Sequence, residues 1–92
     1  MYKASEIADL LLITADKEYD EHLTNMKLQK LLYYLQGFHL AIYDERLFKE
    51  DIKKWDYGPV VPSIYHKYKQ YGANAIEEIP NGVNFDFPEE KI

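Results

Sequence analysis

The alternation of apolar and polar positions along the chain predicts a mainly α-helical domain. Ala4, Ile7, Ala8, Leu11, Leu12 and Ala15 recur at three- and four-residue intervals, the spacing of one helical face. Glu6, Asp9 and Asp16 fall on the opposite side. This predicts an amphipathic helix from Ser5 to about Lys17, with Ser5 as its N-cap and its early acids suited to the helix dipole. Asp16 to His22 is polar and reads as a connector.

Thr24 offers a second N-cap, and the strongest pattern in the chain follows from Asn25 to Tyr43. At 100° per residue, Leu28, Leu31, Leu32, Leu35, His39 and Ile42 share one arc. Tyr34, Phe38 and Ala41 widen it on one side, Tyr33 and Leu40 on the other. A helix apolar on most sides is expected to be buried on most sides, so residues 25–43 are read as the central helix of the domain. Leu28, Leu31, Leu32, Leu35 and Ile42 are its expected core residues. Gly37 costs about 1 kcal/mol relative to alanine in mid-helix, which close approach of another element would offset.

Beyond Tyr43 the helical period is lost. Leu47, Phe48, Ile52 and Trp55 are scattered among charges, which predicts a short extended or hairpin element near residues 47–57. Tyr57-Gly58-Pro59 is a strong breaker. Pro62 suits the first turn of a third helix running to about Tyr71. On that helix Ile64, Tyr68 and Tyr71 face inward, and His66, Lys67, Lys69 and Gln70 face away. Gly72 fits a left-handed terminating position. Ile76, Ile79, Val83, Phe85 and Phe87 suggest a short helix and a strand over 83–87 about the Asn81-Gly82 turn. Pro88-Glu89-Glu90 reads as another helix start.

Ninety-two residues fit one domain, 1–92. Residues 1–12 lack the pattern of a signal peptide, and no segment is apolar enough to span a membrane. Without cysteine there is no disulfide framework, thiolate metal site or thiol nucleophile. A cytoplasmic protein is the default expectation. Sixteen acids against eleven bases, with Arg46 the single arginine, argue against a general nucleic-acid binder. Nine tyrosines, four phenylalanines and one tryptophan are an unusual aromatic surplus, useful both in a small core and at an interface.

Catalytic signatures are sparse. His22, His39 and His66 have no metal-ligand spacing, and no nucleophile elbow, zinc-protease motif or phosphate loop is present. His39, inside the central apolar arc, reads better as a hydrogen-bonded core or pocket-edge histidine than as a catalytic base. Gln29 and Gln36 lie one above the other at i and i+7, where rim polarity is favoured over a specific hydrogen-bonding role. The run Trp55-Asp56-Tyr57-Gly58-Pro59-Val60-Val61-Pro62 joins aromatics, a tight turn and a helix start. Trp55 and Tyr57 either pin the turn to the core or form a rigid platform for a partner, and both roles are compatible.

The stretch from Met26 to Leu40, MKLQKLLYYLQGFHL, resembles the signature helix of the Panacea domain, the SocA-like antitoxin family that includes phage-associated GepA proteins. The stretch from Leu47 to Ile52, then Trp55 to Pro62 and on to Tyr65, Tyr68, Tyr71 and Gly72, resembles its second signature. The resemblance covers about Ser5 to Gly72. It implies a mostly helical fold and a non-enzymatic antitoxin of a prophage or mobile element, without cofactors, that binds and neutralises a cognate toxin directly. The SocA-type member of the family implies a further role as a proteolytic adaptor to a ClpXP-type protease. Family members continue through further helices, which implies a C-terminally shortened domain here and apolar surface that a homodimer would cover.

The expected partner surface is the rim around Trp55, Tyr57 and Tyr65, with Gln29 and Gln36 as further partner-binding candidates. The alternative function is a DNA-binding regulator of its own operon, using Lys27, Lys30, Lys53, Lys54, Lys67 and Lys69 as a basic stripe.

Overall fold

The computed structural model describes residues 1–82. Helix α1 spans Ala4–Tyr19 and helix α2 spans Asn25–Tyr43. Strands β1, Lys53–Trp55, and β2, Gly58–Val60, form an antiparallel hairpin, followed by α3, Pro62–Lys67, and a 3-10 turn, Lys69–Tyr71. The fold is thus mainly helical with one small hairpin. The expected strand at 83–87 and the helix start at 88–90 lie outside the described residues.

α1 begins one residue before Ser5, so the expected cap is corrected to Lys3, whose backbone is extended (φ −84°, ψ 145°). Two carboxylates explain the earlier start. Glu6 accepts from the Lys3 N–H at 2.9 Å and Glu50 accepts from the Ala4 N–H at 2.8 Å. Both satisfy donors that a helix N-terminus otherwise leaves open. Thr24 caps α2 as expected, its hydroxyl accepting from the Lys27 N–H at 3.2 Å. α1 and α2 both stop at an aspartate in the left-handed region, Asp20 (φ 48°) and Asp44 (φ 55°). Aspartate is one of the few residues besides glycine that tolerates this conformation.

The core draws Ile7, Ala8 and Leu12 from α1, Leu28 and Leu32 from α2, and Phe48, Val61, Ile64, Tyr68 and Ile76 from the chain beyond. Leu31 and Leu35 are half-buried against it. Two strand-like ties close the periphery. Residue 2 pairs with the 47–49 segment through Tyr2 N–H to Leu47 O (2.9 Å) and Lys49 N–H to Tyr2 O (3.0 Å). Ile76 N–H donates to Leu23 O (2.8 Å), so 75–76 is bridged strand-like to the α1–α2 connector rather than helical.

The expectation that α2 is buried on most sides is corrected. Its second half is packed on one side only: Tyr33, Tyr34, Phe38, Leu40 and Tyr43 are exposed, and the expected core residue Ile42 is 69% exposed. Nor does any described element approach Gly37, where an added Cβ would meet nothing within 4 Å.

The rim-polarity reading of the two glutamines is corrected too. Gln29 is 1% and Gln36 7% exposed, and each amide is paired with distant chain. Gln36 Oε1 accepts from the Leu47 N–H (2.8 Å) and the Phe48 N–H (3.1 Å), while its Nε2 donates to Phe48 O (2.9 Å). Gln29 Oε1 accepts from the Val61 N–H (2.8 Å), and its Nε2 donates to Asn25 Oδ1 (3.0 Å). Asn25 Nδ2 passes the chain on to the Tyr65 carbonyl at 3.0 Å. Irregular backbone carries donors and acceptors that no helix or sheet satisfies, and these side chains supply the partners.

α3 is shorter than expected. It ends at Lys67, and the inward positions continue through the 3-10 turn, with Ile64 and Tyr68 buried and Tyr71 half-buried. Burial, reinforced by Asp9 and Glu78, pushes the Tyr68 phenol up to about 12. The expected outward set, His66, Lys67, Lys69 and Gln70, is exposed.

Two outcomes follow from this packing. Gln36→Leu keeps the approximate volume but strands two N–H groups and a carbonyl. At about 1–3 kcal/mol for each buried group left unpaired, it should lower unfolding stability in urea by about 3 kcal/mol or more. The raised Tyr68 pKa means that its protonated form is favoured by folding. That contribution is fully present below pH 10.0 and is lost as pH rises through about 12. Tyr68→Phe should therefore flatten the alkaline limb of stability against pH, measured by denaturant titration across that window.

Candidate functional site

The hairpin register pairs Lys53 with Val60, Lys54 with Pro59 and Trp55 with Gly58, leaving Asp56 and Tyr57 as the loop. Gly58 closes it at φ +112°, a conformation L side chains rarely adopt. The tight return holds the Trp55 and Tyr57 rings 6.1 Å apart, edge to face at 88°. α3 then brings Tyr65 against both. Tyr65 meets Trp55 at 5.2 Å and 78°, and stacks on Tyr57 at 5.8 Å and 26°. His66 completes the group at 5.8 Å from Trp55 and 5.7 Å from Tyr65.

The three residues expected to anchor a partner thus form one aromatic cluster. Tyr57 is 51% exposed, while Trp55 and Tyr65 are half-buried beside it. A hydrogen bond to Tyr65 raises the Tyr57 pKa, with desolvation and the nearby Asp56 adding to it. The Tyr57 phenol is thereby held in its neutral form. A shallow cleft opens next to the pair, edged by Met26, Lys69, Gly72 and Ala73.

Gln29 and Gln36 do not reach this surface. Gln29 lies beneath it and holds the start of α3 through the Val61 N–H and, by way of Asn25, the Tyr65 carbonyl. Gln36 belongs instead to the 47–48 loop at the far end of α2. Their spacing on α2 was visible in the sequence; the distant backbone groups they bind carry no sequence signal.

His39 is buried at a pocket edge. Its Nδ1 donates to the Glu45 carbonyl at 2.8 Å, which fixes the proton on that nitrogen, and its ring packs on Tyr43 at 4.7 Å. The pocket is an apolar groove between α1 and the second half of α2, lined by Leu10, Leu11, Leu35, Phe38 and Ile42. A second apolar hollow on the other side of α2 is lined by Tyr33, Tyr34, Leu40 and Ile52. Of these side chains Leu35 and Ile42 are the ones the sequence assigns to the core, and only Leu35 packs against it; the all-round apolar character of α2 was the signal for the exposed ones. Among the described residues, no group of three histidines and carboxylates is placed to hold a metal ion, and no helix is long and apolar enough to cross a membrane.

At Gly58 an alanine would have to adopt the same positive φ, at a cost of about 1–3 kcal/mol. Gly58→Ala should lower thermal stability accordingly. It should also change the near-ultraviolet circular dichroism of the Trp55–Tyr57–Tyr65 group more than its far-ultraviolet helix signal.

Both sequence signatures fall largely within a match to a family model described as "Antitoxin SocA-like, Panacea domain", over residues 28–91. Among curated proteins, the chain is 34% identical over 73 residues to "Antitoxin SocA" of Caulobacter vibrioides (strain NA1000 / CB15N). That alignment takes in 79% of this chain and 38% of the relative, so the chain spans well under half the relative's length. No solved structure matches the chain. The aromatic hairpin and the glutamine-bearing helix that supports it are thus built from the matched segment, and the chain belongs to the SocA-like antitoxin family as a Panacea domain.

Proposed function

We propose that this domain is a non-enzymatic antitoxin that binds a toxin protein directly, through the surface built by Trp55, Tyr57 and Tyr65. One observation carries the reading: the three rings, separated in sequence, come together in a single partly exposed cluster on a braced turn. Aromatic anchors ordered before binding lose little entropy on docking and are the residue types that dominate interface energetics. Gln29 serves this surface from below as a positioning residue, since it fixes Val61 and, through Asn25, Tyr65. The family supports the toxin as the class of partner. Neutralisation in the cytoplasm of a cell carrying a prophage or related element, with the bound toxin handed to a ClpXP-type protease, belongs to the same proposal.

The regulator reading has less to stand on. Lys27, one of the six lysines of its basic stripe, is in an ion pair with Glu21 at 2.7 Å. That pair takes one cation from the stripe on α2, and the other lysines belong to a chain of net charge −5 with a single arginine, a poor balance for phosphate contacts.

Co-expression with the product of the adjacent open reading frame tests the proposal. The expected result is rescue of growth and co-purification, both reduced about tenfold or more by Tyr57→Ala, at an exposed position where the fold is retained. A shortened toxin half-life in the presence of the domain, dependent on the protease, is the expected sign of delivery. Rescue and co-purification that are indifferent to Tyr57→Ala would remove the surface from the account. A neighbour that is neither toxic nor bound would remove the antitoxin role.

A further inference from the structure

The stretch that carries the aromatic cluster is charged oppositely to the chain as a whole. Between residues 53 and 71 there are four lysines, Lys53, Lys54, Lys67 and Lys69, against one acid, Asp56, while the complete sequence has a net charge of −5. The four lysines and His66 are exposed. Their placement follows from the elements already described. Lys53 and Lys54 lead directly into Trp55 on β1, and Lys69 edges the cleft beside Tyr57 and Tyr65. Lys67 follows His66, whose ring packs on Trp55.

These cations are largely unspent. Among the described residues, neither Lys54 nor Lys69 has a carboxylate within ion-pair distance. Lys53 feels Asp51 only at longer range, and Asp51 is itself bound by Arg46 at 2.8 Å. Lys67 feels Asp9 in the same way and lies over the Tyr68 ring at 5.3 Å. Exposed lysines on the elements that carry ordered rings raise the local concentration of anionic partners and speed their encounter.

We infer that the Trp55–Tyr57–Tyr65 surface takes an acidic protein segment, one that seats a single aromatic or aliphatic side chain against the rings while its carboxylates meet Lys53, on the Trp55 side of β1, and Lys69 at the cleft. The inference rests on the preceding reading of this cluster as the partner surface and names the chemistry of the partner. Ring geometry favours a protein over a nucleic acid. Stacking of bases needs open aromatic faces in series. Here one face each of Tyr57 and Tyr65 is spent on the other ring, and Trp55 lies steeply inclined to both, so the three rings do not line up as a series. The chain's single arginine, the side chain best shaped for phosphate, is engaged by Asp51 and the Glu50 carbonyl. Ring edges carry partial positive charge and suit carboxylates that border an apolar anchor.

The test uses the intact chain and short fluorescent peptides, read by anisotropy. One peptide is glutamate-rich with a central phenylalanine, one has lysines in place of the glutamates, and one keeps the glutamates but has alanine at the centre. A single-stranded oligonucleotide is the fourth probe. The glutamate–phenylalanine peptide should bind most tightly and weaken with added salt. The double variant Lys53→Glu/Lys69→Glu, at exposed positions, should lose about tenfold or more in affinity for it. The inference is overturned if that peptide does not bind, if the lysine peptide binds as well, if the double variant binds it unchanged, or if the oligonucleotide binds more tightly. Failure of the partner surface itself looks different. Co-purification of the toxin that is lost in Tyr57→Ala but kept in Lys53→Glu/Lys69→Glu retains the surface and overturns its preference for acid. Co-purification kept in Tyr57→Ala overturns the surface.

Discussion

Two buried glutamine amides on one helix face hold the rest of the domain in place. Helix and strand satisfy their own backbone, but residues 44–52 and the junction between β2 and α3 do not. Such segments are stable inside a protein only where their N–H and C=O groups find partners. Gln36 takes three backbone groups of Leu47 and Phe48, and Gln29 takes Val61. Seven residues apart, the two amides sit two turns from one another on the same side of α2. Each fixes a different return of the chain at a set distance along the helix. Phe48, fully buried, enters the core at the point where the Gln36 amide holds its backbone.

The Trp55–Tyr57–Tyr65 cluster inherits its rigidity from this arrangement. A short hairpin is marginal alone in water. This one is anchored at its far end, where Val60 is buried and Val61 donates to Gln29. Asn25 extends the same polar chain to the Tyr65 carbonyl, so one side of the aromatic cluster is tied to the first turns of α2. The other side is tied by the Gly58 turn. The rings are therefore held by backbone constraints from two directions, and exposure of Tyr57 costs the fold little.

Much of this was legible in the sequence, and the rest was hidden for identifiable reasons. Thr24, the limits of α2, the break at Tyr57-Gly58-Pro59 and the entry of Pro62 into α3 are matters of local geometry, and the residues themselves encode them. The grouping of Trp55, Tyr57 and Tyr65 was recognisable as a motif, although their packing was not. The start of α1 depends on Glu50, far along the chain, which no local cap rule sees. Gln29 and Gln36 read as rim residues because glutamine is usually exposed, and only the distant backbone around them reverses that preference. The apolar breadth of α2 correctly marked an unusual helix. Periodicity reports which faces are oily and says nothing of whether a neighbour covers them, so Ile42 reads as core and Phe38 as part of a buried arc, while the core extends over neither.

The glutamine pegs also bear on how the domain opens. The amide protons of Leu47, Phe48 and Val61 are bonded to side chains of α2 rather than to their own local structure. Their exchange with solvent is therefore governed by the integrity of a helix to which they do not belong. Loss of the first turns of α2 would release Val61, and loss of its middle would release the 47–48 segment. In hydrogen exchange, loop amides and helix amides would then group into shared cooperative units, and α2 acts as the template on which the irregular half of the chain acquires its order.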